Sequence, residues 1–148
     1  MAEKKADKKV ERRIVTHESE AARQEFPWGH IDWYHAAELS GSAGMTLGRV
    51  TIMPGQSNAS HGHPNCEEVL FLLSGELVHT YGEEEYRLEP GDAICIPPDV
   101  DHRATNVSDE PAVMIVAYNS AYRQVRPTGE DDDEGEGDTG DEGEDAGE

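Results

Sequence analysis

The alternation of apolar and polar positions changes character near residue 46. From there to residue 118, short apolar runs are separated by turns that contain Gly or Pro. Short runs of this kind at this spacing are typical of β-strands in a sandwich or barrel. We therefore predict an all-β domain, with strands at residues 46–53, 68–73, 76–81, 86–88, 93–96, 102–107 and 112–118.

Two of these runs, residues 68–73 and 112–118, are apolar on both faces. Successive side chains of a strand point to opposite faces, so one face of each run must meet the interior and the other a second sheet or subunit. In the first run Glu68 shares its face with Leu70 and Leu72, which are plausible interior residues. Glu68 is therefore predicted to point inward.

The segment before this series is mixed in character. Residues 21–26 are predicted to form a short helical turn that ends at Pro27. Trp28, Trp33 and Tyr34 follow, and we expect them to cover a barrel end or a subunit contact rather than line a substrate site. The predicted organisation is a disordered charged leader at 1–13, an extension packing on the barrel at 14–45, the barrel at 46–126 and a disordered acidic tail at 127–148.

Charge supports the assignment of the tail. Residues 129–148 contain twelve acids, no base and no apolar residue larger than Ala, so they cannot bury enough surface to offset the entropy of ordering.

The formal net charge of the chain is −20, which opposes binding to nucleic acid or anionic membranes because both are polyanions. The chain has no apolar run of bilayer length, no secretory leader and no disulfide framework, so a cytoplasmic location is expected.

Three histidines and a glutamate carry the candidate chemistry. His61 and His63 are two residues apart, so an extended segment would aim both imidazoles to one side. Glu68 opens one predicted strand and His102 opens another. Three imidazoles and one carboxylate suit Fe, Mn, Co, Ni or Zn, and are too rich in nitrogen for Mg or Ca. The sequence thus predicts one divalent transition metal per chain, with a metal-free barrel as the alternative.

The spacing of these residues resembles the two signature motifs of the cupin superfamily. The first motif corresponds to Gly55-x5-His61-x-His63-x4-Glu68-x6-Gly75, and the second to Gly91-x5-Pro97-x4-His102-x3-Asn106. The resemblance covers about residues 46–118 and implies a small single-domain jelly-roll barrel, a double-stranded β-helix, with the four residues as metal ligands. Asp99 stands where the second motif usually has Gly, and Asp tolerates the left-handed conformation better than most residues.

The resemblance implies three functions, which the sequence leaves open. The first is a mononuclear non-haem enzyme of oxygenase or dioxygenase type with Fe(II) or Mn(II), acting on a small organic substrate. The second is a non-redox isomerase, epimerase or lyase, and the third is a non-catalytic small-molecule binder. A homodimer is expected. The catalytic candidates are His79, Tyr81 and Arg87, although a structural histidine and an arginine paired with surface acids are the more ordinary interpretations.

Overall fold

The computed structural model describes residues 10–128. The predictions of disorder for residues 1–9 and 129–148 lie outside this part of the chain. A 3-10 turn covers Glu18–Glu20 and one short helix, α1, covers Ala37–Ser40. The strands are β1 (Ala22–Phe26), β2 (Gly29–His35), β3 (Thr46–Ile52), β4 (His61–Gly62), β5 (Glu68–Ser74), β6 (Leu77–Tyr81), β7 (Glu84–Leu88), β8 (Ala93–Ile96), β9 (His102–Asn106), β10 (Ala112–Tyr118) and β11 (Arg126–Pro127).

Two antiparallel sheets form the domain. One has six strands in the order β1-β2-β3-β10-β5-β8, and the other has five in the order β11-β4-β9-β6-β7. The core contains side chains from both sheets, among them Ile52, Leu72 and Met114 from the first and Leu77 and Leu88 from the second. This arrangement is a jelly roll, and it confirms the predicted fold class.

Strand β5 shows why the alternation of its residues fixes the site. Glu68, Leu70 and Leu72 are buried. The residues between them face outward, and Phe71, for example, is 43% exposed. Because β5 pairs with β10 on one side and β8 on the other, its inward face is held within the barrel. The predicted inward orientation of Glu68 is therefore confirmed.

The prediction of a helical turn at residues 21–26 is wrong. These residues form the edge strand β1, which pairs with β2 through the register Arg23↔Asp32. Its polar side chains find partners across that register, since Arg23 Nε donates to Asp32 at 2.8 Å and Trp33 Nε1 donates to Gln24 at 3.1 Å. Tertiary pairing thus outweighs the weak helical preference of the segment.

The glycine after β5 allows a turn that packs closely against β10. Gly75 has φ +85°, and a Cβ at this position would lie 2.7 Å from the backbone Cα of Ala112. Only glycine combines this left-handed backbone with such a close approach to β10. The turn sends the chain from the first sheet into β6 of the second.

Candidate metal centre

The four predicted ligands lie where strands begin. β4 starts at His61 and leads directly into His63, β5 starts at Glu68, and β9 starts at His102. β4 and β9 are neighbours, with His61 opposite His102 in the register. This pairing brings His61 beside His102, and Glu68 reaches the same place from the other sheet, although the four residues are up to forty-one positions apart in sequence.

The distances between ligand atoms are those expected around a single ion. All four candidate atoms lie within 4.8 Å of one another. Glu68 Oε1 is 3.2 Å from His63 Nε2 and 3.0 Å from His102 Nε2. Two ligands at about 2.1 Å from a metal and at right angles to each other are about 3 Å apart. The cluster therefore has the dimensions of a mononuclear site.

Buried polar atoms at the centre lack hydrogen bonds. His63 Nε2, His102 Nε2 and Glu68 Oε1 are buried and have no hydrogen-bond partner of acceptable geometry, despite their proximity. Leaving such groups unsatisfied costs free energy, and a cation coordinated by all three would remove that cost. The residues present therefore fit a bound divalent metal.

Backbone carbonyls orient each imidazole. In all three histidines the Nδ1–H donates to a carbonyl oxygen, so Nε2 carries the lone pair and faces the centre. The pairs are His61 with Ala59 at 2.8 Å, His102 with Val100 at 2.9 Å and His63 with Gln124 at 2.8 Å. The carbonyl of Gln124 carries no signal in the sequence, because any residue at that position would supply it.

The electrostatics of the cluster favour neutral imidazoles around one anion. Burial lowers the pKa of His61 well below 6.5, and the neighbouring His102 and His63 reinforce the effect. Burial also lowers the pKa of His63. Burial opposes ionisation of Glu68, but the attraction of His102 and His63 outweighs it and holds the pKa of that carboxyl well below 4.5.

His102 behaves differently because it faces Glu68 most directly. Burial lowers its pKa, yet the attraction of Glu68 exceeds that effect and raises the pKa above 6.5. Without metal, Glu68 therefore favours the protonated form of His102. Metal binding requires the neutral imidazole, so protons compete with the metal for this ligand.

The three catalytic candidates lie at different depths. His79 is buried, and its ring stacks against His102 with centroids 5.8 Å apart. Tyr81 is half-buried and stands opposite His102 in the pairing of β6 with β9. Arg87 is exposed and contacts Glu76 at 3.3 Å, as expected of an arginine paired with a surface acid. Of the three, His79 and Tyr81 therefore adjoin the cluster directly.

An open groove of about 470 Å³ lies between the edge strands β7 and β8. Tyr81 and Tyr86 meet edge-to-face on one side of it, with ring centroids 6.3 Å apart. The residues that line it are Tyr81, Tyr86, Arg87, Leu88, Asp92, Ala93, Ile94 and Cys95. Tyr81, one of these residues, stands opposite His102 in the pairing of β6 with β9, whereas none of the four cluster residues lines the groove.

The two cysteines are free thiols. Cys66, in the loop between ligands, is buried, and burial raises its pKa to about 11. Cys95 is exposed, and its thiol donates to Glu67 at 3.1 Å. Neither takes part in the cluster.

Comparison with known proteins bears on this geometry. A family model described as "Cupin domain" matches residues 48–118, the stretch that holds all four cluster residues. The chain carries a cupin domain. The match, together with the two sheets, confirms the resemblance inferred from the motifs.

Two curated relatives illustrate the breadth of the cupin domain. One is the tetracenomycin polyketide synthase protein TcmJ of Streptomyces glaucescens, 33% identical over 75 residues that cover 51% of this chain and 50% of the relative. Another is the germin-like protein subfamily 2 member 1 of Arabidopsis thaliana, 34% identical over 82 residues that cover 52% and 37%. The match thus spans about half of the first relative and less of the second.

Solved structures share the cupin fold. The oxalate decarboxylase of Lactobacillus farciminis superimposes with a TM-score of 0.71 over 75% of this chain and 34% of that one, at 20% identity. An oxalate oxidase gives a TM-score of 0.67 over 76% and 62%, at 24% identity. Identity at this level shows the fold alone. In residues 10–128, no helix has the length and hydrophobicity needed to cross a bilayer.

Proposed function

We propose that the chain binds one divalent transition metal, Fe(II) or Mn(II) by preference, and is a mononuclear non-haem enzyme of oxygenase type. The observation that carries this proposal is the convergence of three Nε2 atoms and one carboxylate oxygen on a single buried point. The ligand set is borderline in softness and redox-active metals accept it. Four protein ligands also leave positions open on a six-coordinate ion.

The residues of the chain would divide the work as follows. The carbonyl-anchored histidines and Glu68 hold the ligand atoms in place before any substrate arrives, which lowers the cost of organising the site. Buried Tyr118 packs edge-to-face against His63, with ring centroids 5.0 Å apart, and excludes water from that side of the cluster. A metal bound there would bring a substrate oxygen and dioxygen together and polarise the substrate.

The groove beside Tyr81 supplies the substrate class that we propose. Tyrosine rings and the side chains of Leu88 and Ile94 offer an aromatic and aliphatic surface, while Arg87 and Asp92 supply polar groups at the edge. Such a lining suits a small, flat organic molecule with hydroxyl or carboxyl substituents. In this proposal the substrate binds in the groove, beside the strand that places Tyr81 opposite His102.

A second candidate is a non-redox isomerase, epimerase or lyase, and His79 favours it. Its Nδ1–H donates to the carbonyl of Thr80 at 2.9 Å, so Nε2 carries the lone pair. Burial lowers its pKa, and nearby His102 contributes to that direction although Glu68 opposes it. A neutral buried imidazole beside the cluster is suited to removing a proton from a metal-polarised substrate.

Elemental analysis and oxygen uptake together test the proposal. Protein purified without added metal should contain about one transition-metal ion per chain, and the His61→Ala/His63→Ala double variant should contain none. Protein reloaded with Fe(II) should consume oxygen when supplied with small phenols or hydroxy acids. Turnover without oxygen uptake would favour the second candidate, and metal binding without turnover would favour a non-catalytic binder.

We also propose that two copies associate through the outer face of the six-stranded sheet. Val69, Phe71 and Leu73 form an exposed apolar strip on β5. Across the strands, Val69 pairs with Ala117 and Phe71 with Ile115, so the strip extends over β10 without a charged residue. A flat, uncharged strip matches its own copy about a two-fold axis, as isologous dimers require.

A further inference from the structure

The segment that follows β10 runs back along the first motif. We refer to residues 120–128 as the strap. The Asn65 side chain binds it at two points, since its Nδ2 donates to the carbonyl of Tyr122 and its Oδ1 accepts from the amide of Gln124, both at 2.9 Å. Further on, β11 pairs with β4 through the register Arg126↔Gly62. The strap is thus attached along the loop that carries His61 and His63.

The strap supplies a contact that the ligand loops do not supply for themselves. The carbonyls that orient His61 and His102 lie two residues away from them in the chain. The carbonyl that orients His63 belongs to Gln124, sixty-one residues away on the strap. The orientation of one imidazole therefore depends on where the strap lies, whereas the other two are fixed locally.

Arg126 ties the strap to the second motif as well. Its Nε donates to Asp99 at 2.9 Å, and its Nη2 lies 2.9 Å from Asp101 Oδ1. Asp101 immediately precedes His102, so one guanidinium joins the strap to both ligand loops. Asp99 adopts φ +66°, which explains how the turn survives without the glycine usual at this place in the second motif.

Gly62 makes room for this arginine. A Cβ on Gly62 would lie 2.4 Å from Arg126 Nη2. The residue between the two motif histidines is therefore in direct contact with the strap, and a side chain there would displace the guanidinium. The three loops meet at this point, on the outer side of the cluster.

We propose that the strap positions His63 for metal binding and that Arg126 is the positioning residue that locks it. This inference rests on the proposed metal centre. Loss of Arg126 leaves the Asn65 contacts and the pairing of β11 with β4 but removes the ties to Asp99 and Asp101, so the strap, and the Gln124 carbonyl with it, is held less tightly against His63. Loss of the hydrogen-bond partner of a metal-binding histidine typically lowers metal affinity by about 10- to 100-fold.

The test uses the full-length chain, stripped of metal and titrated with Co(II) against a fluorescent chelator. Arg126→Ala should weaken Co(II) binding by about tenfold or more and should alter the visible absorption bands of the saturated site. Arg12→Ala is the matched control, because Arg12 is exposed and its replacement removes the same charge without touching the contacts of Arg126 with Asp99 and Asp101. It should leave both affinity and spectrum unchanged.

Two milder variants distinguish a positioning role of Arg126 from a general loss of folded structure. Arg126→Lys keeps the charge but not the two-pronged geometry, so its affinity should fall between the wild type and Arg126→Ala. Asp99→Gly removes one partner while suiting the left-handed backbone, and it should weaken Co(II) binding with no loss of folded structure. It carries the test if Arg126→Ala does not fold.

The possible failures are distinct. A wild-type chain that binds no Co(II) contradicts the proposed metal centre itself. A wild-type chain that binds Co(II), with Arg126→Ala and Asp99→Gly matching its affinity and spectrum, overturns the role of the strap and leaves the metal centre standing.

Discussion

At the scale of residues, the site is a buried carboxylate surrounded by three imidazoles, of which His61 and His63 have lowered pKa values and His102 a raised one. Glu68 is the partner that raises the pKa of His102 against the effect of burial. Each histidine is also fixed at its Nδ1 side by a backbone carbonyl. The buried Nε2 atoms of His63 and His102 and the Oε1 atom of Glu68 lack hydrogen bonds, which costs free energy that a coordinated ion would remove.

Replacing Glu68 by Gln tests this account of the charges. In the metal-free Glu68→Gln variant the attraction that raises the pKa of His102 is gone, so burial alone should bring that pKa below 6.5. An NMR pH titration of the histidine ring protons measures the change. An unaltered His102 titration would show that Glu68 is not the cause of the raised pKa.

The buried thiol gives a second prediction at this scale. With a pKa of about 11 and little exposed surface, Cys66 should not react with a thiol reagent at pH 8 in the folded protein. In the Cys95→Ser variant, where Cys66 is the remaining thiol, labelling should appear only when the chain is unfolded. Rapid labelling of this folded variant would contradict the buried position.

At the scale of elements, the sequence predicts the strands that follow a strong local pattern and misses the strands that depend on pairing with other segments. From β3 to β10 the predicted strands agree with the structure to within two residues at each end, apart from the two-residue β4, because Gly and Pro mark the turns. β1 was missed since its polar residues resemble a helix end before Pro27. β11 was missed because two residues paired with β4 carry no periodicity.

The candidate site shows the same division. The four cluster residues were predictable because their spacing follows two motifs, and the structure brings all four together. The Gln124 carbonyl and the Arg126 ion pairs were not, since they join segments that are distant in sequence. The inward direction of Glu68 followed from the alternation along β5, which depends only on strand geometry.

Turn glycines provide the prediction for this scale. Gly75→Ala should lower the free energy of unfolding by about 2–4 kcal/mol, since it combines left-handed strain with a clash against the Ala112 backbone. Gly55→Ala is the matched control, because φ is +76° there with no atom near the added Cβ, and the expected loss is about 1 kcal/mol. Urea unfolding measures both. Equal losses would contradict the close packing of the turn on β10.

At the scale of the whole molecule, an apolar strip and a large negative charge act in opposite directions. The strip on β5 and β10 favours association of two copies, while a formal charge of −20 on each chain opposes it. Salt screens the repulsion and leaves the apolar contact intact. The proposed dimer should therefore become tighter as ionic strength rises.

Two valines test the dimer surface with matched chemistry. Val69 on the strip and Val107 after β9 are each 42% exposed. Val69→Glu should yield a monomer in light scattering, because it places a charge within the contact, whereas Val107→Glu should remain a dimer. A monomeric wild type at high salt, or equal behaviour of the two variants, would contradict the proposed surface.

The account as a whole depends on the cluster holding an ion. The most direct measurement is the metal content of the full-length chain, purified without added metal and compared with the His61→Ala/His63→Ala double variant. We predict about one transition-metal ion per chain in the wild type and none in the double variant at equal folded content. Equal metal in both proteins, or no binding by a wild type reloaded with Fe(II), Mn(II) or Co(II), would contradict the central claim.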